Sequence, residues 1–409
     1  MKRSVGVIVL ALNFVEWLEF SLYLYLAKSV FATTFFPPSN QSLVLTFALF
    51  AAAYLARPIG GWLFGRKADL TGRRNPMMHT AGLMGIATLG ICLLPDYSHI
   101  GILAACLLLV FRIAQGLALG GEINTSAIFL IEHNPNNPLL AGSLVAAFGA
   151  LGMFVGGAIA AVIQYCSVSW VWRVIFAVVG LASLLISRLR KRLQESPEFN
   201  HKKDLSRKEL WQHHGRGMLH IAAVGAFVSV MVYMCNIFWL TYASDQKLWS
   251  SITCAWIASL AQLGSALLAI PIARFSSKNH APQLLKLSMF TISITAPVLF
   301  YCTSQGFHLG VFLALCGYML GNGLLCSSLY YFLYQQLPMQ YRCRGVSTIW
   351  AFAASLGAMA LPLAQQTVSG AAGYWIPALI VSIIACIAFI ILHEPNGGRE
   401  TTIKEIPAG

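Results

Sequence analysis

Twelve stretches of this chain are apolar for roughly the length of a bilayer, and few folds can accommodate that pattern. The runs fall at about 5–31, 42–65, 77–95, 101–131, 139–165, 168–187, 218–242, 250–273, 283–303, 308–334, 345–368 and 373–392. Each is near or above the ~20 residues that a helix needs to cross ~30 Å of hydrocarbon. In lipid every backbone N–H and C=O must be paired internally, so runs of this length read as helices. With 57% hydrophobic and 10% charged residues among 409, the composition excludes a soluble globular protein. The expectation is an all-α integral membrane protein with twelve transmembrane helices.

The few cations set its orientation. Lys2 and Arg3, the 66–74 segment, the 188–216 segment, Arg274, Lys278, Lys286, Arg342, Arg344, Arg399 and Lys404 all fall in alternate connections. The opposite connections hold Lys28, Arg173, Lys247 and little else. By the positive-inside rule both termini are cytoplasmic. The net charge of +13 is the same bias summed over the chain, and it implies contact with anionic lipid headgroups, not with nucleic acid. Cys92, Cys106, Cys235, Cys254, Cys316, Cys326 and Cys386 lie inside apolar runs, where cysteine packs as a small hydrophobe. No cysteine or histidine spacing suits a metal, and no cofactor is expected. The first apolar run is too long for a signal-peptide core, so an uncleaved first helix is expected.

The densest polar stretch is Arg57 to Arg74, with Pro58, Gly60, Gly61, Gly65 and Gly72 among Arg66, Lys67, Asp69, Arg73 and Arg74. So many charges between membrane-length segments read as a basic hairpin at the membrane surface, and its glycines let backbones approach closely. The spacing from Gly61 through Gly65, Arg66, Asp69 and Gly72 to Arg73 and Arg74 resembles the loop between helices two and three of the major facilitator superfamily, in the form used by its metabolite:proton symporters. That resemblance implies two six-helix bundles. Residues 1–187 would form one half, 188–217 a cytoplasmic linker, 218–392 the other half and 393–409 a cytoplasmic tail.

Two helices carry charge at membrane depth. Helix one has Asn13, Glu16 and Glu19 in NFVEWLEF, and the two acids, three apart, share a face. Carboxylates at that depth are costly and usually serve a water-filled path or a partner. The segment resembles the subfamily's N-x-x-E-W-x-D-F signature with Glu19 at the aspartate. Helix four has Arg112, Gln115, Gly116, Gly120, Gly121 and Glu122 in FRIAQGLALGGE, which resembles the R-x-x-Q-G…GGE pattern. At ~1.5 Å per residue Arg112 and Glu16 both lie ~16 Å inside their helices, near the midplane. A pair between Arg112 and Glu16 or Glu19 is therefore predicted, with these three residues coupling protons. Family resemblance implies that Glu122 and Glu132 join Gly61, Gly65, Arg66, Asp69, Gly72, Arg73 and Arg74 in a salt-bridged cytoplasmic gate; a solvated loop carboxylate is the plain alternative for Glu132.

Elsewhere the family pattern thins. Met153 in GALGMFVGG stands where drug antiporters of the superfamily have proline. The segment from Arg188 to Phe199 resembles the link between the two halves, and a surface role is the default for its charges. From 218 to 392 the only acid is Asp245, the second copy of the hairpin has shrunk to Arg274 and Lys278, and Gln336 replaces an acid after helix ten. Any proton coupling must then sit in the first half, with a weaker gate in the second. Aromatic and amide groups can hold an ammonium or orient a carboxylate. The candidate substrate contacts are Asn13, Trp17, Gln115, Tyr233, Asn236, Trp239 and Tyr330.

Together these features imply proton-coupled symport of a small organic acid or zwitterion by a monomer in a bacterial inner membrane. Its partners would be that small-molecule substrate, protons and the bilayer. An exporter of a metabolite such as a siderophore or drug, and a transporter-derived sensor that moves nothing, are the alternatives. An enzyme is not expected, because the ten histidines form no constellation with acids.

Overall fold

A computed structural model describes residues 3–37, 42–166, 170–199, 207–367, 373 and 375–393. Twelve long helices account for nearly all of them. They are α1 (Arg3–Leu26), α2 (Ser42–Thr71), α3 (Arg74–Leu93), α4 (Ile102–Glu132), α5 (Pro138–Cys166), α6 (Val171–Arg190), α7 (Arg207–Val232), α8 (Ser251–Phe275), α9 (Ala281–Ser304), α10 (His308–Gln335), α11 (Arg342–Thr367) and α12 (Trp375–His393). A π-helical turn at Ala27–Phe31 extends α1, and another at Tyr233–Phe238 carries α7 on into Trp239–Asp245. Among the described residues ten helices are long and apolar enough to cross a membrane; α2 and α11, each partly outside the side-chain description, complete the twelve.

Helices α1 to α6 pack mainly with one another, as do α7 to α12, and the two six-helix bundles meet where α2 lies along α11 and α5 lies along α8 and α10. Within hydrocarbon no solvent entropy drives helices together, so close backbone packing has to do it. Gly116 and Gly120 of α4 face the carbonyls of Ala53 and Arg57, and Gly60 of α2 faces that of Leu117. Any side chain at these positions would force α2 and α4 apart. Gly152 and Gly156 do the same for α5 against α1.

Two prolines inside helices show how freed carbonyls are paired. Pro58 cannot donate to the carbonyl of Tyr54, four residues back. The Ser355 hydroxyl of α11 donates to it instead, at 3.2 Å. Likewise Pro297 leaves the Ser293 carbonyl of α9 free, and Ser382 of α12 donates to it at 3.0 Å. The first of these bonds crosses between the bundles.

One sequence boundary moves. The apolar run of the second helix ends near Gly65, but the helix continues to Thr71, so Gly60, Gly61 and Gly65 lie within the helix and only Gly72 and Arg73 make the turn. Gly72 has φ +96°, a conformation that side-chain-bearing residues rarely adopt. Of the expected linker and tail, residues 200–206 and 394–409 lie outside the described residues.

Candidate functional site

Two polar centres stand out, one midway along the helices of the first bundle and one at the hairpin end, where the bundles meet. The midway centre starts from Glu19. Its carboxylate accepts hydrogen bonds from Thr88 of α3 (2.7 Å) and from the Gln115 amide of α4. The Gln115 carbonyl oxygen in turn accepts from Arg112, at 2.8 Å. Arg112 and Glu19 are therefore joined through an amide. No direct ion pair within 4.0 Å links Arg112 to Glu16 or Glu19 among the described residues, which corrects the predicted contact. One turn of α4 carries both Arg112 and Gln115, so the amide reaches the acid first, while the guanidinium lies over the Tyr23 ring, 3.8 Å from its centroid. A void of about 10 Å³, the room of about one water, is lined by Glu19, Arg57, Arg112 and Gln115.

Glu16 is a different case. It is 1% exposed, and neither carboxylate oxygen has a hydrogen-bond partner among the described residues. The charges that act on it are Glu19 of its own helix, Glu122 of α4, Arg190 of α6 and Arg57 of α2. A buried polar group without partners is costly, and carboxylates at membrane depth usually face a path or a partner.

Arg57, which sequence reasoning left without a role, lies halfway along α2. Its guanidinium carbon stands 3.7 Å from the Tyr54 ring centroid and 5.2 Å from that of Phe20. Its Nε is buried without a partner, as are those of Arg73, Arg112, Arg190 and Arg344, but no acid pairs with Arg57 among the described residues. The rings around it span both bundles. Trp17 meets Phe20 at 5.5 Å, Phe20 meets Tyr54 at 5.9 Å, and Tyr54 meets Tyr233 of α7 at 6.2 Å.

The other candidate contacts are dispersed. Asn13 donates to the Val145 carbonyl of α5 (2.6 Å) and Asn236 to the Ala258 carbonyl of α8 (2.9 Å). Trp239 is fully buried, and its indole N–H donates to Thr303 of α9 at 3.0 Å. It is thereby committed to packing inside the second bundle. Tyr330 covers Gly142, where α10 crosses α5.

At the hairpin end α2 presents one face to α11. A Cβ at Gly61 would lie 2.9 Å from the Ser347 carbonyl, and one at Gly65 would lie 2.7 Å from the Arg344 Cα. One turn further, Asp69 accepts hydrogen bonds from the backbone N–H groups of Cys343 and Arg344, each at 2.9 Å. Gly61, Gly65 and Asp69 are spaced by four, so the same face that admits α11 also caps its positive end.

Beside that cap lies a buried ion network. Glu132 pairs with Arg73 (3.2 Å) and with Arg342 of α11 (3.1 Å), and Ser196 donates to it. Arg342 also pairs with Glu198 (3.1 Å), which accepts from the Tyr334 hydroxyl of α10 at 2.7 Å. Glu195 lies against Gly72 and accepts from the backbone N–H groups of Arg73 (2.8 Å) and Arg74. Acids of the first bundle and its link thus hold cations of both bundles. The charges on the link are not merely surface charges, and Arg342 supplies a cross-bundle partner despite Gln336.

Two members of the expected gate lie elsewhere. Glu122 pairs with Arg190 (2.7 Å) and accepts from Thr80 and Ser126, inside the first bundle, and no ion pair joins it to the hairpin arginines among the described residues. Arg66 extends toward Trp62, 5.9 Å from its ring centroid, and makes no ion pair among the described residues.

The family profile described as "Sugar (and other) transporter" matches residues 8–211. The alpha-ketoglutarate permease of Escherichia coli (strain K12) is 27% identical over 94% of this chain and 92% of its own length. The chain belongs to the major facilitator superfamily. The proline/betaine transporter of Salmonella typhimurium is 31% identical over 57% of this chain, a match that spans about half of that relative's own length. These relatives fall in the subfamily to which the motifs of α1, α2 and α4 point. Human organic anion transporter MFSD10 superposes with a TM-score of 0.73 at 14% identity over 95% of this chain and 99% of its own. The proton:xylose symporter XylE does so with 0.71 at 17% over 95% and 94%. Both share the facilitator fold. This facilitator is a multi-pass membrane transporter with bacterial relatives, and not an enzyme.

Proposed function

We propose that this facilitator is a proton-coupled symporter of a small organic acid or zwitterion in a bacterial inner membrane, with both termini cytoplasmic. Residues 1–187 and 218–392 would rock as two halves about a midplane site, joined by 188–217. In this reading the hairpin end is cytoplasmic and its network is a closed inner gate. Opening it would break the Asp69 cap and the Glu132–Arg342 contact together.

The observation that carries the proposal is the placement of Glu16 and Glu19. Both are buried at membrane depth in α1, whereas the one acid between 218 and 392, Asp245, lies at the end of the α7 extension. Glu19 has a hydrogen-bonded route to Arg112 through Gln115, whereas neither carboxylate oxygen of Glu16 has a hydrogen-bond partner among the described residues. Two buried acids on one helix, one of them joined to Arg112 through an amide, are the groups through which a coupled proton would pass in this reading. That the relatives are named for alpha-ketoglutarate and for proline and betaine supports the substrate class.

Purified protein in proteoliposomes, given an inward proton gradient and labelled 2-oxoglutarate, L-proline, glycine betaine, shikimate or citrate, tests this reading. Gradient-dependent accumulation of one compound is expected. No movement of the whole panel would turn the reading toward an exporter of a larger metabolite or a sensor.

A further inference from the structure

We propose that Arg57 is the anchor for the substrate's carboxylate, with Phe20, Tyr54 and Tyr233 forming the apolar wall against which the rest of the substrate lies. The assignment rests on the transporter reading and names a residue and a ligand group for its site.

Three observations converge on it. The first is depth. Arg57 is 14 residues from the hairpin end of α2 and 15 from the other end, so it lies ~21 Å from either end of the helix. A cation held there is expensive unless something offsets its charge. The second is its partners. Four other arginines at depth or at the seam have an anionic or amide partner: Arg112 has Gln115, Arg190 has Glu122, and Arg73 and Arg342 share Glu132. Arg57 has ring faces alone for its guanidinium, its Nε is unpaired, and no acid lies within 4.0 Å among the described residues. A planar guanidinium already stacked on Tyr54 has lost its freedom to rotate, so its N–H groups are pre-organised for a planar anion.

The third is location between the bundles. Tyr54 touches Tyr233 of α7, and the Tyr54 carbonyl, freed by Pro58, receives Ser355 of α11. Arg57 is one turn along α2 from that junction, and it lines a water-sized void of the first bundle together with Glu19 and Arg112. A ligand on Arg57 that reaches along Tyr54 would meet the second bundle at Tyr233 and adjoin the acid proposed to carry the proton. The Gly120 contact beneath the Arg57 carbonyl fixes the α2 backbone at this point. An anion rather than a cation follows from the arginine's charge, and the aromatic wall suits a compact carbon skeleton or a quaternary ammonium at the other end of a zwitterion.

The test compares ligands that differ only in the carboxylate: glycine betaine against choline, L-proline against L-prolinamide, and 2-oxoglutarate against its dimethyl ester. Binding is read by tryptophan fluorescence and thermal unfolding of the full chain in detergent, for wild type, Arg57→Lys and Arg57→Gln. Wild type should bind at least one carboxylate ten-fold or more tightly than its neutral counterpart. Arg57→Gln should lose that preference, and Arg57→Lys should keep part of it, which also shows that the site still folds. Equal binding of both members of every pair by wild type overturns the assignment, as does an unchanged preference in Arg57→Gln. Because binding is measured without flux, the two readings fail separately. Carboxylate uptake that survives Arg57→Gln removes the anchor and leaves the transporter, whereas Arg57-dependent binding without uptake in proteoliposomes removes symport and leaves the anchor.

Discussion

Asp69 on α2 accepts the backbone N–H of Arg344 at 2.9 Å, so a side chain of one bundle caps a helix of the other. The same carboxylate takes the N–H of Cys343, and Gly65, four residues earlier, leaves the space that lets α11 reach it. Charge, helix dipole and close packing therefore act at one crossing, and their loss should be felt as a shift between conformations.

Asp69→Asn keeps the shape and one acceptor but removes the charge. A carboxylate at a helix N-terminus contributes about 0.3–2 kcal/mol, so the closed state should be weakened by up to roughly 30-fold. Transport should slow several-fold while ligand binding persists. A normal initial rate of uptake would reduce the cap to a packing contact.

Gly65→Val tests the packing half of the same crossing. The new side chain would meet the Arg344 backbone, which cannot rotate away, so α2 and α11 should separate at this end. A cysteine placed at Ser347, one turn away opposite Gly61, should then react faster with a membrane-impermeant maleimide in inside-out vesicles than it does when Gly65 is kept. Equal labelling rates would show that the seam tolerates the added volume.

Glu132→Gln should destabilise more than Arg342→Ala. The first leaves Arg73, whose side chain is 0% exposed, beside a neutral amide, and removing one partner of a buried pair typically costs 3–5 kcal/mol. The second removes a partly exposed cation and leaves Glu132 still paired with Arg73. Thermal unfolding in detergent should rank the two variants in that order, and the reverse ranking would mean that Arg342 is the main support of the network.

Glu16→Gln and Glu19→Gln separate the two acids. At least one should abolish uphill accumulation while leaving exchange of substrate across proteoliposomes intact, because exchange needs no net proton movement. The geometry favours Glu19 as the residue whose neutralisation also alters Arg112, since Gln115 joins them. Unchanged gradient-driven accumulation in both variants would place the proton site elsewhere.

Much of this was legible in the chain. The twelve apolar runs required helices, and the spacing of Gly61, Gly65, Asp69, Gly72 and Arg73 pointed to the superfamily because each type serves a need: no side chain where helices touch, a charge at a helix end, a left-handed turn. The polar residues of α1 and α4 could be placed near one depth by counting at ~1.5 Å per residue. Depth alone did not give partners. Glu122 was assigned to the hairpin arginines, yet it faces Arg190, because rotation about the helix axis sends it toward α6. Trp239 reads as a cavity aromatic by its spacing with Tyr233 and Asn236, but after a π-helical turn that spacing no longer predicts the face, and its indole is committed to Thr303.

The sequence by itself determined the membrane class, the number of helices and the motifs that mark the family, since these follow from hydrophobic length and from residue types with fixed local demands. Only the tertiary structure decided which charges meet. Glu132 reaches Arg342 across 210 residues, and Arg57 is left among aromatic rings. Such pairings depend on how helices rotate and approach in three dimensions, and the spacing of residues along one helix does not encode the face of another.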